Sequence, residues 1–263
     1  MRFAVVIPAR DEEEAIAATL AELGPQGADL VVVADNGSRD RTAARAAAAG
    51  ARVVREPRPG YGRACLAALG EVDPSVDVVV FMDADGSDDP GHLPRLIAPI
   101  AQGEADLVIG ARAASPGQQL PAHQRWGNRL ASTLLRRLYG TPCTDLGPFR
   151  AIRRPALAAL RMRHPDYGWT AEMQVKAALA GLRIREVPVP HRPRRAGRSK
   201  VSGTLRGSLL AGTKILWTIF RYRFLHPSDS PASASGPTTV PSLGQPADPS
   251  HRPRQRTAGP GSG

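Results

Sequence analysis

An open, mostly parallel α/β sheet flanked by helices is the fold this 263-residue chain predicts. Short runs rich in β-branched residues alternate with alanine-rich helical stretches over the first 110 residues. The runs are almost wholly apolar, as in strands covered on both faces. Acidic residues follow three of them, at the strand ends where open α/β sheets bind ligands.

The first run, Phe3–Ile7, precedes a helix over Glu12–Leu23, whose leading acids Glu12, Glu13 and Glu14 suit a helix N-terminus. Leu30–Val33 and a helix over Arg39–Ala49 follow, then Arg52–Val54 and a helix over Tyr61–Glu71. The run Val78–Met82 leads to a helix over Gly91–Gln102, and Leu107–Ile109 closes the regular alternation. Beyond Gly110 the pattern loosens into a loop over Ser115–Ala122. Helices over Trp126–Tyr139, Pro155–Arg161 and Thr170–Ala180 come next, then a strand over Arg183–Val189.

Between Thr204 and Phe224, apolar residues Leu205, Leu209, Leu216, Ile219 and Phe220 recur at helical spacing, flanked by Arg206, Lys214, Arg221 and Arg223. This is a basic amphipathic helix, too short and too charged to span a bilayer. Packing on the core and docking on a membrane surface are even readings of it. The final 37 residues, Pro227–Gly263, hold eight Pro, seven Ser and five Gly, and read as a disordered tail. The expected organisation is a main domain over 1–202, the basic helix over 203–226 and the tail over 227–263.

A hydrophobic fraction of 42% is enough for a core, and two cysteines, Cys65 and Cys143, exclude a disulfide scaffold. With no spanning run and an N-terminus that turns acidic early, the chain reads as cytoplasmic, with peripheral contact at the inner membrane face left open. The formal charge of +11 is uneven: Arg183–Arg223 carries eleven basic residues against Glu186 alone. Such a block calls for an anionic partner or open solvent. A nucleic-acid-binding module is disfavoured, because few aromatics interleave the basic run and the strand-end acids would repel phosphates unless metal-bound.

Three strand ends are acidic: Asp11 and Glu12 after the first, Asp35 after the second, Asp83 and Asp85 after the fourth. In an extended segment Asp83 and Asp85 project to one side and would share a hard cation, Mg²⁺ or Mn²⁺. Asp88 and Asp89, ahead of Pro90, read instead as turn or capping acids. Asp35 suits either a nucleotide hydrogen bond or an Asx-turn. Gly60-Tyr61-Gly62 is only a glycine-containing loop, weak as a dinucleotide signal. Trp126 and Trp217 read as core or interface residues.

With these residues in place, the chain resembles family 2 glycosyltransferases of the GT-A fold, nearest the dolichyl- or polyprenyl-phosphate sugar transferase branch. VVIPARDEE, VVVADNGSRDRT, FMDADGSDDP, DLVIGAR, DLGPFRAIRR and VPVPHRPRRAGRSK match the family's motifs in order, from Phe3 to Lys200. The resemblance implies a catalytic domain in which Pro8, Ala9, Glu12 and Asp35 hold the nucleotide of a nucleotide-sugar donor. Asp83 and Asp85 would bind the metal bridging its diphosphate, and Arg194 and Lys200, with Ser199 aligned between them, would close over the phosphates. It also implies an acceptor, either a polyprenyl phosphate or a small hydroxyl compound.

Ser87 stands where lipid-phosphate members often have Gln, and Asn36 where an acid is usual. Glu172 falls where inverting relatives often carry an acceptor-activating acid, and helix-start charge explains it equally well. Asp145 is a second candidate, as a group that positions the acceptor. A nucleotidyltransferase would want a glycine-rich loop after the first strand, where this chain has PARDEE.

Overall fold

The computed structural model describes residues 1–113, 122–196 and 205–224. The expected loop at 115–122 lies almost wholly outside them, as do Ser199, Lys200 and the 227–263 tail. The strands are β1 (Phe3–Ala9), β2 (Leu30–Asp35), β3 (Arg52–Arg55), β4 (Val78–Phe81), β5 (Leu107–Ala113), β6 (Arg150–Arg153) and β7 (Ile184–Pro190). The helices are α1 (Ile16–Leu23), α2 (Thr42–Ala48), α3 (Tyr61–Gly70), α4 (Leu93–Ala101), α5 (Ala122–Tyr139), α6 (Arg154–Leu160), α7 (Trp169–Leu179) and α8 (Leu205–Phe224).

The seven strands form one sheet in the order β3-β2-β1-β4-β6-β5-β7. All pairings are parallel except those of β6, which runs antiparallel to both β4 and β5. Alternate residues of β1 face opposite cores, as a strand's period of two requires. Val5 and Ile7 pack with α1 and α4, while Ala4 and Val6 pack with α3, α6 and α7. A third apolar cluster joins α5, α7 and α8 through Leu135, Val175 and Ile219.

β6 is the element the sequence pattern does not predict. Its run Arg150–Arg153 is bounded by arginines, yet Arg150 is fully buried. Its guanidinium donates to the carbonyls of Gly147, Thr170 and Leu146, so the buried charge is met by backbone oxygens. The predicted helix start at Glu12 also shifts: residues 12–15 form a turn and α1 begins at Ile16. There the Glu12 amide donates to Thr42 Oγ1, and Glu13 pairs with Arg41, so these acids tie β1's end to α2.

Arg183 and Arg185 are exposed, and each is paired with a carboxylate. Asp106, at the head of β5, accepts from the Arg183 amide and guanidinium and from Arg153, and Glu104 pairs with Arg185. The Arg183 hydrogen bonds hold the Asp106 carboxyl down at about 2 against burial. Its stabilising contribution is complete above the ordinary aspartate range near pH 4 and is lost as the pH falls toward 2. Asp106→Asn is expected to lower stability by about 1–3 kcal/mol at neutral pH. In denaturant unfolding the gap to wild type should close as the solution is acidified; a gap independent of pH would count against this pairing.

Candidate active site

The strand order reverses about β1, so the carboxyl ends of β1 and β4 open a crevice between diverging connections. It measures about 250 Å³. Its walls come from β1's end (Pro8, Ala9, Arg10, Glu12), the turn after β4 (Asp83, Ala84, Asp85), Asn36, the start of α3, Asp166 and Tyr167 before α7, and Arg194 after β7. Six residues named from sequence therefore converge: Pro8, Ala9, Glu12, Asp83, Asp85 and Arg194.

The aspartate pair does not ride on a strand as expected. β4 ends at Phe81, and Asp83–Asp88 form a turn through Gly86 at φ +76°. A side chain at Gly86 would also press on Arg195 at 2.7 Å, so both backbone and space require glycine. Asp85 Oδ1 accepts from the Ser87 amide at 2.8 Å, and Asp88 Oδ2 accepts from the Asp83 amide at 2.9 Å. Asp89 is the capping acid expected, accepting from the Gly91 amide, whereas Asp88 is buried beside the aspartate pair.

This crowding has an electrostatic cost. Burial, then the charges of Asp88 and Asp85, push the Asp83 carboxyl well above the usual range. Burial and the Asp85 charge lift Asp88 to about 7. Cations offset part of this. Arg194 donates from Nη1 to Asp85 Oδ2 and from Nη2 to Glu12 Oε1, both at 2.5 Å. Arg112, at the end of β5, also faces Asp83 and Asp88 electrostatically.

The residues fit a divalent cation. Among the described residues no three or more His, Cys, Asp or Glu side chains form a protein-only metal cage. Mg²⁺-type ions are commonly held by one or two carboxylates, with phosphate and water oxygens completing the shell. Asp83 and Asp85 offer that pair in a site already too negative for its burial.

The segment after β7 is laced to this turn by its backbone. The Arg192 amide donates to Ser87 O and the Arg195 amide to Asp85 O, each at 3.0 Å, and His191 bridges to Asp88. Arg192 and Arg195 both pair with Glu22 of α1. Much of the basic block is thus spent locally.

Other expected site residues are placed differently. Asp35 lies one position behind the wall, where its Oδ1 accepts from the Ser38 amide as in an Asx-turn. Asn36 reaches the crevice instead. Its Nδ2 donates to Glu56 O and Arg58 O, and its Oδ1 accepts from the Gly60 amide. An aspartate could not make the first two bonds, which accounts for asparagine here.

Glu172 is buried and does not line the crevice. It accepts from the amides of Arg163 and His164 and the Tyr222 hydroxyl, and pairs with Lys176 at 2.8 Å. Asp145 is likewise withdrawn, held bidentate by Arg112 at 2.7 Å; despite burial, the Arg112 hydrogen bonds leave its carboxyl below the usual value. Both carboxylates brace neighbouring loops. Trp126 and Trp217 are exposed rather than core residues, and neither lines the crevice.

Sequence reasoning missed Arg112, Asp166 and Tyr167. Arg112 ends a strand in the DLVIGAR run, so the strand-end rule could have found it. Asp166 and Tyr167 sit in a short loop without periodic pattern and reach the crevice only through tertiary packing.

An open, mostly parallel sheet with an acidic turn at its switch point agrees with the GT-A class of nucleotide-dependent transferases. The chain belongs to glycosyl transferase family 2, whose profile matches residues 4–161, and it is a glycosyltransferase. It is 45% identical over 207 residues to an uncharacterized glycosyltransferase of Mycobacterium tuberculosis, covering 79% of this chain and 93% of the relative. It is 34% identical over 221 residues to the undecaprenyl-phosphate mannosyltransferase of Micrococcus luteus, covering 79% and 90%. Its fold matches glucosyl-3-phosphoglycerate synthase of M. tuberculosis, crystallised with Mn²⁺, UDP-glucose and phosphoglyceric acid, at a TM-score of 0.67 and 27% identity over 84% of this chain and 79% of that one.

Asn36→Asp is expected to destabilise the protein by about 1–3 kcal/mol, because two carbonyls lose their donor and face a carboxylate. Thermal unfolding checks this; a loss below about 0.5 kcal/mol would mean the 56–60 wall is held by other contacts.

Proposed function

We propose that the crevice binds a nucleoside-diphosphate sugar together with Mg²⁺ or Mn²⁺ and transfers the sugar to a polyprenyl-phosphate acceptor. The observation that carries this is the convergence of Asp83, Asp85, Glu12 and Arg194 on one crevice. When bound, the ion supplies Lewis-acid neutralisation of the departing diphosphate. Pro8, Ala9 and Glu12 floor the nucleotide side, with Asp35 one residue behind. Arg194 brings a guanidinium to the same mouth, where negative charge grows as the bond to the leaving group breaks. Ser199 and Lys200 complete the phosphate contacts in this reading.

The acids support this choice of acceptor. A hydroxyl acceptor needs a general base, and the two carboxylates best suited by sequence, Glu172 and Asp145, are both committed to arginine, lysine, tyrosine or backbone donors. A lipid phosphate is already ionised and needs none. The mannosyltransferase of M. luteus, named for undecaprenyl phosphate, supports the same class.

No described helix is long and apolar enough to cross a membrane. Contact with the inner membrane face is assigned to α8, which carries no acidic residue and exposes Trp217, Phe220 and Phe224 on one face. Aromatic residues with basic neighbours favour an anionic lipid surface.

Asp85→Ala is expected to abolish Mn²⁺-dependent turnover of a nucleotide-sugar without unfolding the protein at the assay temperature; wild-type turnover would refute the metal assignment. Thermal-shift profiles with UDP- and GDP-sugars, with and without Mn²⁺, identify the donor. The protein should also sediment with phosphatidylglycerol vesicles at low salt, less so at high salt, and less again as Trp217→Ser. Absence of vesicle binding at low salt would leave α8 as a packing helix alone.

A further inference from the structure

The inner face of α8 touches the wall of the crevice. Lys214, Thr218 and Tyr222 recur at every fourth position, and each meets the segment between α6 and α7 or the first turn of α7. The Lys214 ammonium pairs with the Asp166 carboxylate and stands 5.8 Å from the centroid of the Tyr167 ring. Thr218 Oγ1 would lie 2.5 Å from a Cβ on Gly168, so the helix approaches as closely as a glycine permits. The Tyr222 hydroxyl donates to Glu172 Oε1 at 2.8 Å.

On its other side the same segment rests on α3. Pro165 O accepts from the Arg63 amide at 3.0 Å, and a side chain at Gly60 or Gly62 would collide with the carbonyls of Pro165 or His164. The segment is therefore clamped between α3 and α8. Asp166 and Tyr167 are its crevice-facing residues.

We infer that α8 sets the mouth of the crevice, with Lys214 the positioning residue for Asp166 and Tyr167. The chemistry requires such a cation. An uncompensated carboxylate at the mouth would repel an incoming diphosphate, and Lys214 both neutralises Asp166 and fixes the aromatic ring beside it. Charge and geometry are set by one residue, from a helix whose opposite face is exposed and aromatic. The consequence for donor binding rests on the reading of the crevice as a nucleotide-sugar site; the clamp itself does not.

The two are separable by experiment. Hydrogen exchange of the ligand-free protein reads the clamp: Lys214→Met should speed exchange over 164–168 by about threefold to tenfold. The exchanged pair Lys214→Asp with Asp166→Lys should restore most of the protection. Unchanged exchange in Lys214→Met overturns the inference, whatever reaction the protein performs. In turnover assays with Mn²⁺, Lys214→Met should raise the donor KM several-fold with kcat within about twofold, and the exchanged pair should recover it. A fall in kcat and unfolding temperature at constant KM would make Lys214 an ordinary packing residue and also overturn the inference. Failure of the wild-type protein to bind any nucleotide-sugar would overturn the functional reading, with the exchange measurement still deciding the clamp.

Discussion

Asp83, Asp85 and Asp88 crowd one short turn at the end of β4, and their mutual repulsion in a buried setting is relieved by proton uptake or by positive charge. The segment after β7 brings Arg194 across to Asp85 and Glu12, joining β1's end, the β4 turn and the last strand. β5 brings Arg112, held in place by Asp145. The crevice is in this sense an electrostatic arrangement supported by a sheet. Its acids lie close because the parallel strands β1 and β4 end together, and its cations come from the end of β5 and the segment after β7.

The same principle is at work in part of the basic stretch that gives the chain its charge of +11. Arg183, Arg185, Arg192 and Arg195 each find a carboxylate that is far away in sequence. Exposed pairs of this kind contribute little individually. Their effect is to fix the register of the post-β7 segment against the acidic turn. α5 and α8 carry no acidic residue, and they expose Trp126, Trp217 and Phe224.

The carboxylates outside the crevice make a different set of contacts. Glu172 and Asp145 are both buried, and each is surrounded by hydrogen-bond donors. Glu172 joins α7, the 163–164 loop and α8; Asp145 joins β5 to the loop before β6. The proposed acceptor, a phosphate that arrives already ionised, asks for no base from either of them.

The sheet was legible from sequence because strands buried on both faces must be apolar, as Phe3–Ile7 and Val78–Phe81 are, whatever their neighbours. The acidic ends Glu12, Asp83 and Asp85 were legible for the same reason, since the strand-end rule needs only chain order. The strand β6 was not, because Arg150 is a charge satisfied by carbonyls of Leu146, Gly147 and Thr170, and no local pattern encodes that compensation. Nor could sequence tell Asp35 from Asn36 at the wall, or show which groups hold Glu172, because each outcome depends on which distant donors reach the side chain. Local sequence determines which segments are strands and helices and where acids end them. Tertiary structure alone decides which charges meet, because pairing energies depend on distances that chain separation does not specify.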